Sequence, residues 1–274
     1  MEMTSTADPR MIRTPESRTA AALPEECLYV YGIVDKDFAV PAELPADGGL
    51  QLTGVGRIAG VYSWLDSSLL DDLCADIAEE GKLATLARRH DEIVRSLANL
   101  GAVLPVRLGT LFPSVTSLAG LLRSGERQIA AELDRVRGRS EWNLRARRMR
   151  TATASVTPGA DDAESSGTGR GTTYLLGRRD ARHQKAALEQ ELSAAMTAVD
   201  DTLSQLADQA LGRTSNGSTL SRAYLVSDSR QEEFLTAAAE AVTELETRGC
   251  EAVFRGPLPA YSFVDMRLEV AGYG

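Results

Sequence analysis

From Thr151 to Thr172 the chain is nearly all Thr, Ser, Ala, Gly, Asp and Glu. Such a segment cannot bury enough apolar surface to offset its ordering entropy, so it reads as a flexible insertion. No continuous core can run through it, and the patterned sequence on either side must close around it. A chain of 274 residues is also long for one small core and suggests two domains. The expected division is a disordered leader over 1–25, an N-terminal α+β domain over 26–137, and a C-terminal domain over 138–274 that holds the insertion at 151–172. Met11 is a second candidate start within the leader.

In the N-terminal half, Leu28–Val34 is a β-branched and aromatic run that reads as a strand. Leu44–Gly54 is broken by Pro45, Gly48 and Gly49 and reads as loop. Ile58–Asp66 reads as a second strand. Leu83, Leu86, His90, Val94, Leu97 and Leu100 recur at three- and four-residue spacing, which places one apolar stripe on a helix from about Lys82 to Leu100. Gly101 stands where a C-cap glycine would. Val103–Arg107 reads as a third strand. A second helix, capped by Ser114 or Ser117, runs to about Arg137 with Leu118, Leu122, Ile129, Leu133 and Val136 inward.

In the C-terminal half, Ser140–Arg150 alternates Trp142, Leu144 and Ala146 against Asn143, Arg145 and Arg147 as a strand would. Leu188, Leu192, Met196, Val199, Leu203 and Leu206 form a single helical seam. Leu220–Ser227 reads as a strand. Ser229-Arg230-Gln231-Glu232 has the form of a capping box, opening a helix with Phe234, Ala238, Ala241, Val242 and Leu245 inward. Glu251–Arg255 and Tyr261–Met266 read as two final strands. The predicted order is β-α-β-α-β-β, a modified ferredoxin-like layer, so the fold class expected is α+β built from two small domains.

Catalytic chemistry is hard to find in this pattern. His90 and His183 are the two histidines, and Cys27, Cys74 and Cys250 are far apart and odd in number. That fits neither a zinc site nor a disulfide framework, and a reducing cytoplasm is the natural setting. His90 lies on the apolar stripe and reads as a satisfied core group. Gly54-Val55-Gly56-Arg57-Ile58-Ala59-Gly60 has the wrong spacing for a nucleotide loop, and a strand rather than a helix follows it. The net charge of −9 argues against broad nucleic-acid binding. No apolar run reaches the roughly 20 residues that would span a bilayer. Arg145, Arg147, Arg148 and Arg150 are a basic patch, read equally as a guarded sheet edge or as a dock for an acidic partner. Arg107 ends an apolar strand, where a guanidinium is expected to be part-buried and tied to a carboxylate; the alternative is an exposed recognition arginine. No metal, cofactor or small-molecule substrate is expected.

Near the C-terminal end stands Arg255-Gly256-Pro257-Leu258-Pro259-Ala260-Tyr261-Ser262-Phe263-Val264. Two prolines around Leu258 hold a rigid extended turn. This ending resembles that of the gas vesicle accessory proteins F and L (the GvpF/GvpL family). Cys27-Leu28-Tyr29-Val30-Tyr31-Gly32-Ile33-Val34 is similar to that family's opening strand. His90-Asp91-Glu92-Ile93-Val94 followed by Val103-Leu104-Pro105-Val106-Arg107-Leu108-Gly109-Thr110-Leu111-Phe112 is similar to its helix and Leu-Pro-Val-Arg-x-Gly-Thr strand. Glu141-Trp142 resembles its Glu-Trp pair. Leu258 and Ala260 depart from the bulky aromatic and the proline that the family pattern leads one to expect.

The resemblance implies an accessory or minor structural protein of the gas vesicle, a gas-filled protein shell in the cytoplasm, and not an enzyme. It implies as partners the small hydrophobic main shell protein and other accessory proteins, with no nucleic acid and no membrane. Arg107, Leu258 and Tyr261 are the candidate interaction residues, the last two on a ridge beside a sheet edge. The competing reading is a ligand-binding regulatory module of paired ferredoxin-like domains.

Overall fold

The computed structural model describes residues 11–13, 24–41, 44, 49–67, 81–149, 170–215, 219–264 and 267–269. Its elements in chain order are β1 (Met11–Arg13), β2 (Glu26–Asp35), β3 (Gln51–Val55), β4 (Ile58–Asp66), α1 (Lys82–Leu100), β5 (Val103–Pro105), β6 (Leu111–Phe112) and α2 (Val115–Val136). Then come β7 (Arg139–Arg148), α3 (Arg170–Leu206), β8 (Gln209–Ser215), β9 (Thr219–Ser227), α4 (Gln231–Thr247), β10 (Cys250–Leu258) and β11 (Arg267–Glu269). The described residues thus form a mixed α/β protein with four helices and two antiparallel sheets. Two compact units result: Met1–Glu141 with Pro257–Gly274, and Trp142–Gly256.

The first unit is built on β2. Its residues Cys27–Val34 are apolar without alternation and all are buried, which requires cover on both faces of the strand. The sheet order is β3-β4-β2-β5, with β6 also pairing with β2. On one face, Ile93, Val94 and Leu97 of α1 meet Tyr29, Tyr31, Val34, Ala59 and Val61. On the other, Leu118 and Leu122 of α2 lie over Gly60. A capping box opens α2: the Ser114 hydroxyl accepts from the Ser117 amide, and the Ser117 hydroxyl from the Ser114 amide, each at 3.2 Å. Such a cap is worth about 1 kcal/mol. β1 pairs in parallel with β11.

The second unit has the spatial strand order β10-β7-β9-β8. Leu192, Met196, Val199 and Leu203 of α3, with Phe234, Ala238, Ala241 and Leu245 of α4, close on Trp142, Leu144, Ala146, Leu220, Tyr224 and Val226. One ionic group ties its layers. The Asp200 carboxylate on α3 accepts from Arg222 Nε at 2.7 Å, Tyr224 Oη at 3.0 Å and Ser204 Oγ at 3.3 Å. Arg222 also donates to the Gly212 carbonyl of β8 at 2.8 Å.

Several expectations are corrected. The order in the second half is β-α-β-β-α-β rather than β-α-β-α-β-β. β8 has no counterpart in the predicted order; it carries little apolar pattern, and its identity comes from seven backbone pairs with β9. β3, expected as loop, pairs in the same way with β4 from Gln51 to Val55. The glycine-rich stretch from Gly54 to Gly60 is the hairpin joining them. Tyr261–Val264 is not a strand: the Phe263 and Val264 amides both bond the Ala260 carbonyl, closing a turn. The expected 138–274 domain also divides differently, since Pro257–Gly274 groups with the first unit. Within the expected leader, residues 11–13 form β1; the remainder to 23 lies outside the described residues, as does 151–169 of the expected insertion, while 170–172 opens α3.

Candidate functional site

A built feature of the first unit stands at the segment after β5. The backbone here still belongs to the sheet at Val106, whose amide donates to the Tyr31 carbonyl at 3.2 Å. Beyond it the chain must turn back to start β6. Thr110 makes that turn by donating twice to the Arg107 carbonyl, from its amide at 3.2 Å and its hydroxyl at 2.7 Å. Gly109 takes φ 81, a left-handed conformation that glycine adopts without steric cost. Arg107, Leu108 and Gly109 are exposed.

The turn is held from beneath by a buried polar chain. The Gly109 amide donates to Tyr29 Oη at 3.3 Å. His90 Nε2 lies 3.2 Å from the Val106 carbonyl, which can only accept, so the proton sits on Nε2 and Nδ1 is an acceptor. Tyr29 therefore donates its hydroxyl proton to His90 Nδ1, at 2.9 Å. Both ring nitrogens are satisfied by a neutral imidazole, as expected of a core histidine. His90 is 4% exposed, and burial holds its pKa below the ordinary histidine value. Burial likewise pushes the Tyr29 phenol up. Tyr31 stacks on the imidazole at 5.6 Å and bonds Ser63 Oγ at 3.0 Å.

A second polar clamp fixes the C-terminal turn in the same unit. Glu141 is 1% exposed, and its carboxylate accepts from the Ser262 amide and hydroxyl, each at 2.7 Å. Arg135 donates to the Phe263 carbonyl at 2.7 Å. Phe263 is buried, and Tyr261 packs against the cluster around Tyr29, Ile93 and Val94. The Tyr261 hydroxyl faces Asp91 at 3.5 Å, and burial with that carboxylate raises its pKa.

The three expected interaction residues therefore fare differently. Arg107, read as a strand end, was expected to be part-buried and paired, with an exposed arginine as the alternative. The strand stops at Pro105, and Arg107 projects from the turn with no ion-pair partner among the described residues. Tyr261 is on no strand ridge; it is half-buried and anchors the C-terminal turn. Leu258 is the last residue of β10 and half-buried. Three residues of consequence stand in the quoted motifs but were not among the candidate site residues: Leu108, 44% exposed at the tip, Tyr29 beneath it, and Glu141. The signal for Glu141 was the carboxylate next to Trp142 in a strand. For Leu108 it was an apolar side chain between an arginine and a turn glycine.

Chemically, the tip offers a guanidinium with a planar set of donors and one aliphatic side chain, on a backbone already fixed. That suits recognition of a carboxylate beside an apolar surface, with little ordering cost on binding. Among the described residues no group of three His, Cys, Asp or Glu is placed to hold a metal ion. No helix among them is long and apolar enough to cross a membrane.

Comparison with known proteins agrees with the order of these motifs. Residues 27–265 match the family model described as gas vesicle synthesis protein GvpL/GvpF, which is not a family of known enzymes. The chain is 28% identical to gas vesicle protein L of a Streptomyces strain, over 88% of this chain and 94% of that one. It is 22% identical to gas vesicle protein F1 of Halobacterium salinarum, covering 89% and 95%. The crystal structure of GvpF from Anabaena superposes with a TM-score of 0.60 at 14% identity, over 88% of this chain and 97% of that one. GvpF from Microcystis aeruginosa gives 0.57 at 13%, over 87% and 99%.

Proposed function

Because the chain belongs to the GvpL/GvpF family of gas vesicle synthesis proteins, we propose that it acts in gas vesicle assembly as a cytoplasmic accessory or minor structural protein, without catalytic turnover. Its partners in this reading are the hydrophobic main shell protein and other accessory proteins. A small apolar shell subunit exposes surface and sheet edges before assembly, and a binder that masks them prevents off-pathway association. The second unit's β-α-β-β-α-β order, with strands arranged β10-β7-β9-β8 and both helices on one face, supports a ferredoxin-like layer as its scaffold.

The observation that carries the binding part is the Arg107–Leu108 tip. Three hydrogen bonds through Tyr29 and His90, two of them buried, hold a turn whose two exposed side chains make no core contribution. Leu258, half-buried at the end of β10, is a secondary contact. Tyr261 acts by positioning the C-terminal turn. The test is capture of purified shell protein by the full chain and by Arg107→Glu and Leu108→Asp. Each substitution is expected to weaken capture at least tenfold while leaving the Tm within about 2 °C, since exposed positions rarely exceed about 0.5 kcal/mol. Undiminished capture by the folded double variant would remove the tip from the binding surface.

A further inference from the structure

Residues 176–191 of α3 are exposed at every position. The helix becomes part of the second unit's core only from Leu192 onward. At 1.5 Å per residue, about 24 Å of helix therefore stands free of the sheet it later packs on. A helix that buries no face draws little stability from its surroundings, and Gly177 within it costs about 1 kcal/mol relative to alanine. Leu176 and Leu188 remain 46% and 50% exposed. Apart from one ion pair at its foot, the feature is an arm that packs on nothing in its own unit.

Its charge is as uneven as its burial. Between Leu176 and Leu188, Arg178, Arg179, Arg182 and Lys185 are opposed by Asp180 alone, leaving three net positive charges on a chain whose total is −9. Arg178, Arg182 and Lys185 recur at four- and three-residue spacing and share one face. At the foot of the arm, Glu189 is engaged by Arg148 at 3.4 Å and Lys185 at 3.9 Å. The helix beside α3 has the opposite character. α4 carries Glu232, Glu233, Glu240, Glu244 and Glu246 and no lysine or arginine, five net negative charges over its 17 residues; the flanking Arg230 and Arg248 pair with Glu233 at 3.8 Å and Glu244 at 3.0 Å, and Glu232, Glu240 and Glu246 complete the acidic face. All five glutamates are exposed.

We infer that the α3 arm is a self-association element, and that two copies of this chain pair reciprocally, each laying its basic arm along the acidic outer face of the other's α4. One chain carries both halves of the match, so a two-fold pair makes both contacts at once, whereas a head-to-tail chain of subunits leaves one arm and one α4 unmatched at its ends. The overall negative charge does not oppose this. At physiological salt the screening length is about 8 Å, so the local patches decide the contact and the distant carboxylates do not. The arm gains in the pair the packed face that its own unit does not supply.

The experiment is sedimentation velocity on the full chain in about 0.05 M and about 0.5 M salt, with two charge-reversed variants. One carries Arg178→Glu, Arg179→Glu and Arg182→Glu; the other carries Glu232→Arg, Glu233→Arg and Glu240→Arg. The native chain is expected to dimerise at low salt, with a dissociation constant at least tenfold weaker at high salt. Each variant alone is expected to be monomeric, because arm and α4 then repel. Mixed in equal amounts, the two should form a heterodimer, since one arm–α4 contact is then native and the other is restored with its signs exchanged. That rescue also shows both variants to be folded. A native chain that is monomeric at low salt, a dimer that survives arm reversal, or variants that fail to recombine while their circular dichroism and Tm remain native would each overturn the inference.

Discussion

The buried histidine beneath the Arg107 turn makes stability depend on pH in a direction that can be worked out. His90 is neutral in the fold because its Nδ1 accepts from Tyr29 and its Nε2–H is held by Val106. Burial keeps its folded pKa below the unfolded value of about 6.5. The unfolded chain therefore binds the proton first as pH falls. Stability is complete above the unfolded value and declines below about pH 6.5 until the folded group also titrates. One proton contributes at most about 1.4 kcal/mol per pH unit, which caps the loss between about pH 7 and pH 5.5 at about 1.3 kcal/mol. That is a sizeable part of a total on the order of 5–15 kcal/mol, and it moves a urea midpoint by roughly half a molar. His90→Gln keeps one acceptor and one donor but cannot titrate. Urea unfolding across this window should show the variant less stable at neutral pH and nearly flat toward acid. Parallel acid losses in the native chain and in His90→Gln would refute the assignment.

Other perturbations test the packing that surrounds the turn and the sheets. A Cβ at Gly256 would lie 2.3 Å from Trp142 Cε3, and that ring is stacked on Phe254 at 5.3 Å; Gly256→Ala should cost more than about 2 kcal/mol and alter the near-ultraviolet circular dichroism of the tryptophan. Glu141→Ala deletes two short charge-assisted bonds to Ser262, so roughly 3 kcal/mol should be lost in denaturant titration, with faster amide exchange at residues 262–264. Asp200→Ala strands a half-buried Arg222 and removes the acceptor of Tyr224; a loss of about 2–4 kcal/mol is expected, largely recovered in the double variant with Arg222→Met.

The two halves of the chain show where sequence reading ends. Repeating apolar spacing named α1, α2 and α4 and most of their inward residues, because a helix buries one stripe and the stripe is written at three- and four-residue intervals. It also named β2, β7 and β9, whose apolar or alternating runs need no partner to be recognised. The core role of His90 was visible in its place on the stripe of α1. β3 and β8 were not visible, because each is an edge strand defined by backbone pairing with a neighbour, and backbone groups carry no residue signature. The seam from Leu188 was read as one packed face, yet only its C-terminal part finds a sheet beneath it; burial depends on where the sheet stops, not on the helix's own periodicity. Arg107 turned outward for the same kind of reason. Its exposure is set by Thr110, Gly109, Tyr29 and His90; Gly109 and Tyr29 lie 80 residues apart in the chain and meet only when the strands pair. Local pattern determined which segments are helix and which faces are apolar; long-range closure of the sheet decided what those faces meet and which side chains are left to meet something else.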